Sequence, residues 1–104
     1  RQPAGWQRRS VSHTVTLTIC NKKGLHARPA AKFVRTVESF DAQVRVAKIG
    51  DAELPEVAGT SILGLMMLGA DKGTTLTLSA QGAQAAEAIA ALKELIENRF
   101  GESE

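Results

Sequence analysis

The sequence predicts an α+β fold, a two-layer sandwich whose helices cover one face of an antiparallel sheet. Three observations lead there. Several short stretches alternate apolar residues with threonine or charge, the period of a half-buried strand. Between them run stretches with apolar residues at i, i+3, i+4 and i+7, the period of an amphipathic helix. The strands keep a polar face, so only their other face needs a cover of helices. The resulting order is β-α-β-β-α-β-α over residues 14–104, behind a tail at residues 1–13.

The tail mixes Gly, Pro, Gln, Arg and Ser without any period, and reads as a flexible extension in which Trp6 is exposed and His13 is an ordinary terminal residue. Next, "TVTLTIC" sets Val15, Leu17 and Ile19 on one face of a strand and threonines on the other. A helix follows, striped by Ala30, Phe33, Val34 and Val37 and ending near Phe40. "AQVRVAKI" alternates again, with Val44 and Val46 inward. "ELPEV" is a short strand that Pro55, lacking an N–H for the ladder, confines to an edge. The compact helix of "SILGLMML" stops at Gly69, and "TTLTLSA" then turns Leu76 and Leu78 inward. A last helix runs from about Ala83 to Arg99, with Ala85, Ile89, Leu92 and Ile96 in one stripe and Gly101 just beyond. Periodicity leaves the strand order open, because a ferredoxin-like arrangement has the same pattern.

A chain of 104 residues with 43% hydrophobic and 23% charged content suits one domain with a small core. Cys20 is the single cysteine, so neither an internal disulfide nor a cysteine-based metal cluster can form. With no signal-type or membrane-length apolar run, this points to the cytoplasm and away from a membrane. The net charge of +2 is unevenly spread. Arg1, Arg8 and Arg9 meet no acid in the first stretch, and without them the balance is −1. The middle is basic and the remainder acidic, so something negative is expected at the basic half. Nucleic acid is a poor fit, since the tail's arginines lack interleaved aromatics and a basic fold domain.

The stretch "NKKGLHARPAAKFV" sets His26 where a helix begins. Gly24 lets the chain turn, Leu25 anchors in the core, and Pro29 falls in the first turn, where its missing N–H costs little. The free amides and dipole of that helix end favour an anion. Arg28, Lys32 and Arg35, at i, i+4 and i+7, run a basic stripe away from it. An imidazole there can act as a nucleophile and form a phosphoramidate, while the amides and Arg28 neutralise the added charge. Spacing alone leaves a capping or surface histidine as an equal alternative. No cysteine pair or HExxH spacing accompanies His26, so no metal is expected.

The stretch "GLHARPAAKFV" resembles the active-site signature of the HPr family, the histidine-containing phosphocarriers of the bacterial phosphoenolpyruvate-dependent phosphotransferase system. The likeness continues through "GTSILGLMMLGADKGTTLTLSAQG" to the last helix, and "NKKG" is closer to the family's nitrogen-related or alphaproteobacterial-like branch. "KIGDAELPEVAG" is a few residues longer than the family's usual hairpin, and the tail has no counterpart in its common core. The resemblance implies an open-faced β-sandwich of four antiparallel strands with three helices on one face. It also implies that His26 takes a phosphoryl group from enzyme I on Nδ1 and hands it to an enzyme IIA-type domain, for sugar uptake or regulation. Arg28 matches the family's active-site arginine and Pro29 the proline after it. Such a protein is a monomeric carrier with no turnover of its own, and needs no cofactor.

Ser61, after Gly59 and Thr60 and before an apolar run, reads as the N-cap of the short helix, a place Thr60 could also take. The resemblance further implies that Ser61 is the target of a regulatory serine kinase and phosphorylase in some bacteria. The short helix is apolar nearly all round. Ile62, Leu63, Met66 and Met67 therefore either pack on the sheet or form a patch for docking partners. Ala27, Lys32 and Arg35 are expected to belong to the partner-binding surface beside His26. The rival from another class is a small anion- or metabolite-binding regulatory domain, which would bind reversibly and carry no covalent phosphate.

Overall fold

The computed structural model describes residues 12–50 and 56–103. The tail through Val11, with Trp6, and the first residues of "ELPEV" lie outside the described residues. The strands are β1 (Ser12–Thr18), β2 (Gln43–Lys48), β3 (Val57–Ala58) and β4 (Thr75–Gln81). The helices are α1 (Ala27–Glu38), α2 (Ile62–Met67) and α3 (Ala85–Glu97), and a 3-10 turn, Arg99–Gly101, follows α3.

The strands form one antiparallel sheet in the order β1-β4-β2-β3. β4 is thus inserted between β1 and β2, and the strand order that periodicity left open puts β1 at an edge. β4 pairs Leu76 with Leu17 and Leu78 with both Val15 and Val46. Side chains alternate along a strand, so these partners share one face. Leu76, Leu78, Ala80 and Val46 are fully buried there. The other face keeps Thr16, Arg45, Thr77 and Ser79 exposed or half-buried. This is the open-faced sandwich expected, with threonine the reason one face can stay wet.

Several boundaries differ from the sequence reading. The short strand expected over "ELPEV" is β3 at Val57–Ala58, with Glu56 outside the ladder. β1 begins at Ser12, where Ser12 pairs with Gln81 and His13 with Ala80. The polar Ser-His-Thr run has no inward apolar signal, yet the ladder along β4 extends through it, so His13 is a strand residue and not part of a tail. α3 starts at Ala85 instead of Ala83 because Gln84 is tied to the approach of β2. Its backbone N–H donates to the Asp41 carbonyl at 2.9 Å, and its side-chain oxygen accepts from the Asp41 N–H at 2.7 Å.

The helical stripes bury largely as their periods require, except that Ile89 of the last helix is only half-buried and Ala88 takes the inward place beside it. α1 buries Ala30, Phe33, Val34 and Val37, and α3 buries Ala85, Ala88, Leu92 and Ile96. Beyond α3 the chain reverses sharply. Arg99 and Phe100 both take φ of 56°, and the Phe100 ring is fully buried in the core. Non-glycine residues adopt that left-handed conformation only at a cost.

Candidate functional site

Gly24 has φ of 70°, and a Cβ there would run into the Ala70 carbonyl oxygen. Only glycine fits such an approach. The next residue fastens the turn: the Leu25 N–H donates to Ala70 O at 2.9 Å and its side chain is buried. His26 is thereby delivered to the start of α1 with a rigid support behind it.

His26 occupies the N-cap position in an extended conformation, but its side chain makes no capping hydrogen bond. The capping role weighed from spacing is therefore not the one the ring plays. Instead Nε2 lies 3.0 Å from Oε2 of Glu102, with the His26 side chain 36% exposed. Oε1 of Glu102 accepts a second hydrogen bond, from Asn21 Nδ2 at 3.0 Å. The same Nδ2 donates to the Gly24 carbonyl at 2.9 Å, and Asn21 is fully buried. Burial raises the Glu102 pKa, but hydrogen bonds from Asn21 and His26 and the charges of His26 and Arg28 outweigh it. The carboxyl is held below its ordinary value and stays ionised at neutral pH.

The basic residues divide. Arg28, exposed in the first turn of α1, lines a cavity of about 330 Å³ with Lys22, Lys23, Lys32 and Glu102. Lys32 also braces the C-terminal turn, its ammonium donating to the Phe100 carbonyl at 2.6 Å. Arg35 stands in the last turn of α1. At 1.5 Å per residue it is about 13 Å along the axis from His26, so the stripe leads away from the ring. Ala27 is exposed beside His26.

A shallow depression bordered by Lys23, Leu25, His26, Met66 and Ala70 connects the ring to α2. Ser61, and not Thr60, caps α2 by accepting from the Gly64 N–H at 2.9 Å. Leu65 and Leu68 are buried against the core, while Leu63 and Met67 are 69% and 70% exposed. Ile62 and Met66 are also exposed, so all four apolar residues in question face water. Among the described residues no group of three metal-ligating side chains occurs, and no helix is long and apolar enough to cross a membrane.

Glu102 and Asn21 escaped the sequence reading. Asn21, ahead of two lysines and a glycine, looks like a solvated loop residue. The only trace of Glu102's position is Phe100 directly after the last helix, an apolar residue with no place in the stripe.

Residues 13–98 match the model of the PTS-HPr family, described as the PTS HPr component phosphorylation site. The phosphocarrier protein HPr of Pseudomonas aeruginosa is 51% identical over 88 residues, covering 85% of this chain and 94% of that protein. The phosphoryl donor subunit DhaM of the PEP-dependent dihydroxyacetone kinase of Escherichia coli is 37% identical over 93 residues, 89% of this chain and 19% of the subunit. Among solved structures, HPr-C-His from Thermoanaerobacter tengcongensis superposes with a TM-score of 0.79 at 47% identity, covering 88% of this chain and 99% of that one. Together with the fold and the histidine at the start of α1, these matches make the chain a member of the HPr family of phosphocarriers of the phosphotransferase system.

Proposed function

We propose that the chain carries a phosphoryl group on His26, accepted from enzyme I and passed to an enzyme IIA-type acceptor. One observation supports this most. The His26 ring caps nothing and is 36% exposed at a helix start that has no acid in its first turn. A partner can reach it, and the first-turn amides and Arg28 stand ready to neutralise an arriving anion. The ring acts as the nucleophile and the product is a covalent intermediate between enzymes, so the protein itself turns nothing over. Phosphoenolpyruvate with enzyme I should therefore add one phosphoryl mass to the intact protein. The bond should be labile to acid and stable to base. An unchanged mass would overturn the reading.

The exposed residues of α2 serve as the docking patch, continuous with His26 through Met66. Ala27 borders the same surface, and Arg35 extends its charge for an acidic partner. Leu63→Glu should slow transfer several-fold while shifting stability by less than about 0.5 kcal/mol, the usual range for a surface site. Wild-type transfer kinetics would remove Leu63 from the docking surface.

Ser61 is proposed as a regulatory position, modified by a serine kinase and restored by a phosphorylase. Phosphorylation adds a charge of about −1.5 to −2 at a helix N-terminus, which the helix welcomes, but next to an apolar patch that must meet an acidic partner. Ser61→Asp is expected to impair acceptance from enzyme I with little change in melting temperature, because Asp caps about as well as Ser. Acceptance at the wild-type rate would leave Ser61 as a cap alone.

A further inference from the structure

We infer that Glu102 is a positioning residue for phosphoryl transfer: its carboxylate holds the His26 ring with the proton on Nε2, so that Nδ1 presents its lone pair to phosphorus. The inference rests on His26 being the carrier. An ionised carboxylate can only accept a hydrogen bond. The 3.0 Å contact between Nε2 and Oε2 therefore needs the hydrogen on Nε2, and the neutral ring's lone pair must then be on Nδ1.

Two further observations set this contact apart from a chance meeting of surface charges. Asn21 is fully buried and spends its amide donors on Glu102 and Gly24, while its Oδ1 finds no partner among the described residues. Leaving an acceptor orphaned is costly, so the amide is kept there for what it donates. The approach of Glu102 is also strained. Arg99 and Phe100, both at φ of 56°, turn the chain back, and the Glu102 N–H closes the turn on the Arg99 carbonyl at 2.9 Å. Phe100, buried in the core, and Lys32 on its carbonyl hold that turn in place. The burial of Phe100 offsets the strain, and the turn it anchors is what brings Glu102 to the ring. Strain of this kind is characteristic of functional sites.

The step then balances without a proton leaving the ring. The Nδ1 lone pair forms the N–P bond as the bond from phosphorus to the donor's leaving atom breaks, and that electron pair departs with the donor. The proton stays on Nε2, the ring gains a positive charge, and the Glu102 carboxylate lies directly against it. This is the part a buried carboxylate plays behind a reacting histidine, orienting it and stabilising the imidazolium. A ring with its hydrogen on Nδ1 has no lone pair to offer. Passing the group on is the same step reversed.

The test uses the full chain, its Glu102→Gln and Glu102→Asp variants, and enzyme I with phosphoenolpyruvate. Phosphoryl acceptance is timed, and the His26 ring nitrogens are read by nitrogen-15 NMR in the unphosphorylated protein. The wild type should show the hydrogen on Nε2 alone. Glu102→Gln should show a mixture of tautomers and accept the group more slowly, on the order of tenfold or more, the scale of losing a histidine's orienting partner. Glu102→Asp, which keeps the charge on a shorter arm, should lie between the two. A wild-type ring carrying its hydrogen on Nδ1 would overturn the proposal. So would a Gln variant as fast as or faster than wild type, since a faster one would make Glu102 a cover over the site. A slower Gln variant with an unaltered ring spectrum would overturn it too, placing the effect of Glu102 elsewhere. If the wild type accepts no phosphoryl group at all, the carrier reading fails and this proposal falls with it, an outcome no ring spectrum can imitate.

Discussion

Replacing His26 with alanine is expected to abolish the phosphoryl adduct completely and leave the domain folded. Both halves follow from the geometry. The ring is the nucleophile in the proposed transfer, so no other group can substitute for its bond to phosphorus. Its structural contribution is small: one part-exposed contact to Glu102 and no cap on α1. Such a contact is worth about 1 kcal/mol or less. Support for the turn comes instead from Gly24 and Leu25, which the substitution leaves alone. Arg28→Ala, by contrast, should slow acceptance without preventing it, because the guanidinium stabilises charge and forms no bond to phosphorus. Intact mass after incubation with phosphoenolpyruvate and enzyme I, acid lability of the adduct, and a melting curve read all of this. An adduct that survives in the alanine variant, or maps to His13 on the edge strand, would move the carrier site away from α1.

The fold was legible wherever burial and period coincide. In α1, β2 and β4 each inward residue named from the alternation is buried. The same is true of the start of the site, because Gly24, Leu25 and Pro29 act through local backbone rules that a short stretch displays in full. What lay hidden depends on distant partners. Ser12 and His13 join β1 because β4 continues opposite them, and nothing in their own chemistry announces a strand. Glu102 meets His26 across 76 residues of sequence, through a turn built from Arg99 and Phe100. Neither residue favours a left-handed conformation, so local propensity argues against the very turn that brings the carboxylate home. Asn21 is hidden for the same reason: a loop asparagine is ordinarily solvated, and its bond to Glu102 joins it to a residue far along the chain.

Of the two side chains that hold the turn before Glu102, Phe100 in the core is expected to matter more than Lys32 on its carbonyl. Phe100→Ala should cost about 3–5 kcal/mol, the range for emptying a fully buried aromatic site. Against a total stability on the order of 5–15 kcal/mol, this is among the largest losses a single substitution here can produce. A urea titration should show the midpoint fall with the slope unchanged, as expected when the native core weakens and the unfolded state does not. The consequence reaches the site as well. With the ring gone, nothing in the core offsets the left-handed backbone at Arg99 and residue 100, and Glu102 should drift from His26. Acceptance of the phosphoryl group should then slow even in dilute buffer, where the variant remains folded. Phe33→Ala separates the two effects. Its ring is equally buried, but it projects from α1 and is no part of the turn. A comparable stability loss with wild-type transfer is expected there, while Met67→Ala, 70% exposed, should alter stability by less than about 0.5 kcal/mol. A Phe100→Ala loss of under about 1 kcal/mol would mean that the ring is not the anchor. The turn would then have to be held by Lys32 and its bond to the Phe100 carbonyl.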